Sequence, residues 1–218
     1  MQHDGFQRYL PLAGTLAGIA LAAGILITRD EPSGDNPTAQ TIAGWYGSHG
    51  TATLVAGLVC APLFALFLLF FSASLRGLLR SGEAQESTYS TVVAGAAPLL
   101  AFAILLMSSI DMAISAAADK GHADIAQSIY FAGQFSWLPW GAPSAALLLA
   151  TGLGGMRTAT LPRLHGWLSV GLGVIAISPV GFVSFLALPV WLIGTGIVMF
   201  RRQSAAMRSD RVMSPALS

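Results

Sequence analysis

Long apolar runs, each closed by a short charged bracket, occupy most of the chain. The first extends from Tyr9 to Thr28 and stops at Arg29-Asp30-Glu31. At a rise of ~1.5 Å per residue, ~20 apolar residues cover the ~30 Å hydrocarbon of a bilayer. The pattern predicts an all-α protein: a polytopic integral membrane helical bundle of about six transmembrane helices. The expected spans are residues 9–28, 51–75, 91–114, 126–153, 164–178 and 182–200, forming a single domain over 1–202, with 203–218 as a flexible cytoplasmic tail.

Punctuation between the runs refines this layout. Asn36-Pro37 has the form of an N-cap followed by proline at the first helical position, so a helix is expected to restart there and run through Trp45 and Tyr46 into the second span. Residues 76–90, with Ser81-Gly82-Glu83 and Glu86, are expected as the longest loop on their side. Ser178-Pro179-Val180-Gly181 divides the last apolar section into a hairpin, whose first arm is short for a full crossing and could instead be re-entrant. Pro62, Pro98, Pro139, Pro143 and Pro189 fall inside spans, where each removes a backbone hydrogen bond and tends to kink its helix. Gly14-x-x-x-Gly18 offers a face that lets another helix approach closely.

Composition agrees with a lipid solvent. Hydrophobic residues make up 54% of the chain and charged ones 10%, against roughly 25% charged in an average soluble domain. The run 9–28 is longer than the ~7–15 residues of a signal-peptide core and lacks a small-x-small cleavage site, so it is expected to be a retained helix. With six spans, Arg8, Arg76, Arg80, Arg157, Arg163, Arg201, Arg202, Arg208 and Arg211 share one side, while Arg29 and Lys120 fall on the other. Loops rich in Lys and Arg stay cytoplasmic, which predicts both termini inside. A five-crossing arrangement would place the C-terminal arginines outside. The preference for Arg over Lys, with abundant Ala and Gly, suggests a GC-rich bacterial genome and hence the bacterial cytoplasmic (inner) membrane.

Net charge is +1 with no dense basic tract, so nucleic-acid binding has no electrostatic support. Cys60 is the single cysteine and lies inside an apolar run, which excludes an intramolecular disulfide and a cysteine-based metal cluster. His49 and His122 are expected on one side, His3 and His165 on the other, so no axial pair for haem and no zinc-spaced cluster is expected. No serine stands in a Gly-x-Ser-x-Gly elbow. No cofactor is expected.

One acidic residue stands within a span. Asp111 falls near the outer edge of the third, with Ser108 and Ser115 on its face. Gln127, Tyr130, Gln134 and Trp137 form a stripe at helical spacing, and Trp45, His49 and Thr53 form another. If these faces converge, Asp111, Gln134, Tyr130, Trp137, His49 and Trp45 would make a small outer ligand pocket. An interfacial aromatic belt of Trp45, Tyr46, Tyr130, Trp137 and Trp140 would account for the same residues without a ligand.

Leu161-Pro162-Arg163-Leu164-His165-Gly166-Trp167-Leu168, then Pro179-Val180-Gly181-Phe182 and Leu188-Pro189-Val190-Trp191, carry a resemblance. Over residues 161–202 the chain resembles a family of small uncharacterised actinobacterial-type polytopic membrane proteins, a domain of unknown function. Where such proteins carry a bulky apolar residue before the Gly-Trp pair, this chain has His165. The resemblance implies a six-helix bundle and supplies no activity. Two classes of function remain. The favoured one is a non-enzymatic bundle whose partners are membrane lipid, a small apolar ligand or another membrane protein. The alternative is a small transporter or intramembrane enzyme with Asp111 as its working acid, which would favour several buried carboxylates along a path.

Overall fold

Helices account for nearly all of the backbone in the computed structural model, which describes residues 9–32, 36–83 and 88–213, the side chains of 136, 137 and 206–213 excepted. Among the described residues there is no strand. The helices are α1 (Leu12–Ile27), α2 (Ala39–Ser48), α3 (Gly50–Gly82), α4 (Thr88–Asp119), α5 (Ala123–Gly133), α6 (Trp137–Arg157), α7 (Arg163–Ala176) and α8 (Phe182–Met213). Three of the described helices are long and apolar enough to cross a membrane: α3, α4 and α8 over Phe182–Ala205. Six helices close a ring in the order α1, α3, α4, α6, α7, α8, with α8 returning to α1, while the short α2 and α5 pack on each other and on α4 at one end of the ring.

The core follows from helical periodicity. On α3, Phe64, Leu68, Phe71, Leu75 and Leu79 are all fully buried, a stripe with spacings of three and four. This stripe outruns the expected span. It keeps α3 helical past Arg76 and Arg80 to Gly82, so residues 76–82 belong to the helix and not to a loop. Glu83 then closes the next turn: its carboxylate accepts from the backbone N–H groups of Tyr89 (2.8 Å) and Ser90 (3.1 Å) and from the Ser90 hydroxyl (2.6 Å), satisfying free donors at the start of α4.

Small residues set how closely the helices approach. A Cβ at Gly14 would lie 2.5 Å from the Phe71 ring on α3, and one at Gly18 would lie 2.5 Å from the Pro189 carbonyl oxygen on α8. The two glycines therefore serve two different neighbours. On α8, a Cβ at Gly196 would meet the Pro11 carbonyl at 2.7 Å. The same device joins α6 to α7, where a Cβ at Gly152 would lie 2.6 Å from the Gly166 carbonyl.

Polar groups inside these helices are satisfied locally or across one interface. The hydroxyls of Ser72 and Thr151 donate to carbonyls three and four residues back. Between α7 and α8, Trp191 Nε1 donates to Ser169 Oγ (2.7 Å), and Ser169 donates to the His165 carbonyl (2.9 Å). Thr195 Oγ1 gives its proton to the Trp191 carbonyl (2.7 Å), leaving His165 Nε2 to donate to it at 2.8 Å. Ser184 donates to the Leu172 carbonyl (2.9 Å). The pairings 165 with 195, 169 with 191 and 172 with 184 make α7 and α8 an antiparallel hairpin, turned at Ser178, which bonds back to Ile175.

Four further boundaries differ from the sequence expectations. The N-cap of α2 is Thr38, whose side chain accepts from Thr41 N (3.2 Å), two residues after the expected Asn36. α2 and α3 are separate helices, broken at His49. The run 126–153 is not one helix: α5 ends at Gly133, Gln134–Ser136 make a single 3-10 turn, and α6 starts at Trp137. Pro139 explains the restart, since it falls in the first turn of α6 where no backbone donor is required. The last helix also continues beyond Arg202 to Met213, so the segment 203–213 is helical. Residues 214–218 lie outside the described part.

Candidate functional site

Two of the ring helices carry small side chains at the end covered by α2 and α5, and this leaves space between them. Ala20 and Gly24 on α1 face Ala56, Cys60 and Ala61 on α3, and a cavity of about 340 Å³ opens there. Phe64, Ile104, Met107 and Phe185 complete its apolar wall, with Leu186 at the rim, 54% exposed. The size falls within the ~300–1,000 Å³ of ligand pockets. Its polar groups gather at one end: Thr28, Arg29 and Glu31 after α1, and Ser108 and Asp111 on α4.

Local backbone geometry shapes the α3 wall. Pro62 lacks an N–H, and directly before it residues Ala56–Cys60 form a π turn, with Ala61 N–H bonded to the Ala56 carbonyl. Such turns widen a helix and recur at functional sites. Gly57 in this turn seats against Met112, where a Cβ would lie 2.8 Å from the sulfur, so the turn is pressed against the stretch of α4 that bears Asp111.

The polar end is organised by a tyrosine. Tyr46 on α2 is 1% exposed and its hydroxyl donates to Glu31, while Asp111 Oδ1 lies 3.5 Å from the same oxygen. One phenolic hydroxyl thus stands between two carboxyl groups. Burial pushes the Glu31 carboxyl above its ordinary range, partly offset by the Tyr46 hydrogen bond. Burial, then the charges of Asp111 and Glu31, push the Tyr46 phenol far above its ordinary range, so it remains a donor. Among the described residues neither carboxylate has an ion-pair partner; Arg29 pairs at 3.4 Å with Asp30, both largely exposed.

The loop carrying Glu31 is tied down from α5. Tyr130 donates to the Pro32 carbonyl (2.6 Å) and Gln127 Nε2 to the Pro37 carbonyl (3.0 Å). Beneath them Ile42, Tyr46, Ile114, Ala126 and Tyr130 form a small second core. This core explains why Tyr46 sits where it does.

Of the residues singled out from sequence, Asp111 lines the cavity. Tyr130 braces the Glu31 loop, and Gln134 is exposed and faces the Tyr130 side chain. Trp45 and His49 stack on each other with centroids 4.6 Å apart, and His49 Nδ1 lies 2.9 Å from the Trp45 carbonyl at the α2–α3 break. Neither lines the cavity. The Trp137 side chain lies outside the described residues. Tyr46, Tyr130 and Trp140 are buried in the protein, at 1%, 6% and 4% exposure, which an interfacial belt does not account for. Sequence reasoning missed Glu31, which stands in a charged triplet with nothing to set it apart, and the partnership of Tyr46. The spacing of Ile42 and Tyr46, four apart, was the available signal that Tyr46 faces inward.

Among the described residues no group of three or more His, Cys, Asp or Glu is gathered that could hold a metal ion. No family model matches the chain, no curated protein matches it, and no solved structure matches it.

Proposed function

We propose that this chain is a six-crossing bundle of the bacterial inner membrane, both ends cytoplasmic, that binds a lipid or other small amphiphile in the cavity between α1, α3, α4 and α8. The observation that carries the reading is the cavity itself, apolar along most of its wall, with Glu31 and Asp111 at one end and the Tyr46 hydroxyl behind them. Such a distribution matches a molecule with an apolar tail and a small polar head.

Support for a lipid surround comes from what the ring turns outward. Leu99 and Phe102 on α4, Leu164 and Trp167 on α7, and Val190 on α8 are exposed by 59–74%, far more apolar surface than a soluble monomer presents. The closed ring gives α1, α6 and α7 crossing partners, although α7, with 14 residues, rises only ~21 Å. Arg76, Arg80, Arg157, Arg163, Arg201 and Arg202 lie at the ring's other end, and Arg202 there donates to the carbonyls of Ala159 and Thr160 (3.2 and 2.6 Å). By the positive-inside rule that end faces the cytoplasm and the cavity lies in the outer leaflet. The resemblance of residues 161–202 to small actinobacterial-type membrane proteins points the same way.

A second reading, proton-coupled transport, draws on Glu31 as a second half-buried carboxyl beside Asp111. It shares the binding site and adds movement.

The test uses Cys60, which lines the cavity and is the sole cysteine of the chain. Protein purified in mild detergent is examined by native mass spectrometry for co-purifying amphiphile, and Cys60 alkylation is timed with and without it. Retained ligand that slows alkylation supports the reading; alkylation unchanged by any added amphiphile refutes it. Reporter fusions after Ser218 and in the Asp119–His122 turn test topology, with the first active in the cytoplasm and the second in the periplasm.

A further inference from the structure

The head group this cavity selects follows from an imbalance of charge. Resting on the reading of the cavity as an amphiphile site, we infer that its ligand is a cationic amphiphile, an alkylammonium-type molecule whose positive head lies between Glu31 and Asp111. Both carboxyl groups line the cavity, and among the described residues the donor they are given there is the Tyr46 hydroxyl, bonded to Glu31 and 3.5 Å from Asp111. Two carboxylates offer about four acceptor positions each. A single phenolic proton leaves most of them unfilled.

The one basic residue among the described lining groups does not change the balance. Arg29 is paired with Asp30 at 3.4 Å, and the two side chains are 69% and 74% exposed, so the pair sits toward solvent and is neutral as a unit. Carboxylates partly withdrawn from water, as these two are, are stabilised by a counter-charge or a proton. A ligand ammonium supplies the first, with charge-assisted hydrogen bonds to both acids, while the apolar walls of Ile104, Met107, Phe64 and Phe185 hold its alkyl tail. An anionic head would meet like charge wherever either acid is ionised and would gain no charge-assisted bond from them.

The experiment measures protection of Cys60 from alkylation in maltoside micelles by three probes of equal chain length: decylammonium, decanol and decanoate. Wild type is compared with the isosteric variants Glu31→Gln and Asp111→Asn, with thermal unfolding recorded for each. Decylammonium is expected to protect at a concentration at least about tenfold below decanol, as a charge-assisted bond implies, and each variant is expected to erase most of that preference. Equal protection by all three probes overturns the cationic class and leaves the amphiphile site standing. Preference for decanoate overturns it in favour of Arg29 as the head-group anchor. Absence of protection by every probe removes the amphiphile reading itself. Should a variant unfold, the ranking of the three probes on wild type decides alone.

Discussion

Removing one hydroxyl, by Tyr46→Phe, tests whether the polar end of the cavity is organised as described. The ring of Tyr46 is fully buried against Ile42, Ile114, Ala126 and Tyr130, and phenylalanine preserves that packing. What disappears is the donor to Glu31 and its contact with Asp111. A hydrogen bond to a charged group contributes about 1.5–3 kcal/mol, and one between neutral groups about 0.5–1.5 kcal/mol. The loss therefore depends on whether Glu31 is ionised. Its carboxyl is pushed up in the fold by burial, so its neutral form is the one folding favours. The associated stability is fully present below the unfolded value of 4.5 and is lost as pH rises through the higher folded value. Tyr46 opposes that loss by bonding the carboxylate. The variant is accordingly expected to cost about 0.5–1.5 kcal/mol near pH 4 and about 1.5–3 kcal/mol near pH 8, the latter a roughly 10- to 150-fold change in the unfolding equilibrium. SDS-induced unfolding in mixed micelles at the two pH values measures it. A cost that is the same at both pH values, or smaller at pH 8, would refute the account of a half-buried carboxylate held by a phenol.

Three further outcomes are expected. Gly24→Leu projects a side chain into the cavity where its Cβ makes only ordinary contact, 3.5 Å from Cys60, so the variant should fold and melt like wild type while losing amphiphile-dependent protection of Cys60. Gly18→Leu, by contrast, drives a side chain into the Pro189 carbonyl at the α1–α8 crossing; overpacking of this kind costs about 1–3 kcal/mol or more, read as a lowered unfolding midpoint in the same micelles. Protection of Cys60 by a quaternary alkylammonium, whose own charge is fixed, should strengthen as pH rises above 4.5 because Glu31 gains its charge over that range; the groups around it are Asp111, Tyr46, Tyr130, Arg29 and Asp30. A titration of protection against pH that stays flat between 4 and 8 contradicts this.

Helix content and the apolar stretches were legible because both depend on neighbours close in the chain. Runs such as 51–75 and 182–200 declare themselves by length alone, and the Ser178–Gly181 break is local turn chemistry. Boundaries were harder wherever distant residues intervene. α3 runs on past Arg76 because Leu75 and Leu79 find buried places against other helices, and the break at Gln134–Ser136 competes with an apolar pattern that continues through it. Of the candidate site, Asp111 could be picked out because a carboxyl in an apolar run is costly and therefore conspicuous. Glu31 carries no such mark, since a charged residue just beyond a span is ordinary.

What the order of amino acids determined unaided is an apolar, helical chain with its arginines biased to one set of turns, since period, length and local charge are properties of a segment. What only the tertiary structure decided is which segments meet. The chain bends back so that a glutamate after α1, a tyrosine on α2 and an aspartate on α4 share one hydroxyl. Contacts across 15 and 65 residues are set by the packing of whole helices and leave no periodic trace in the sequence.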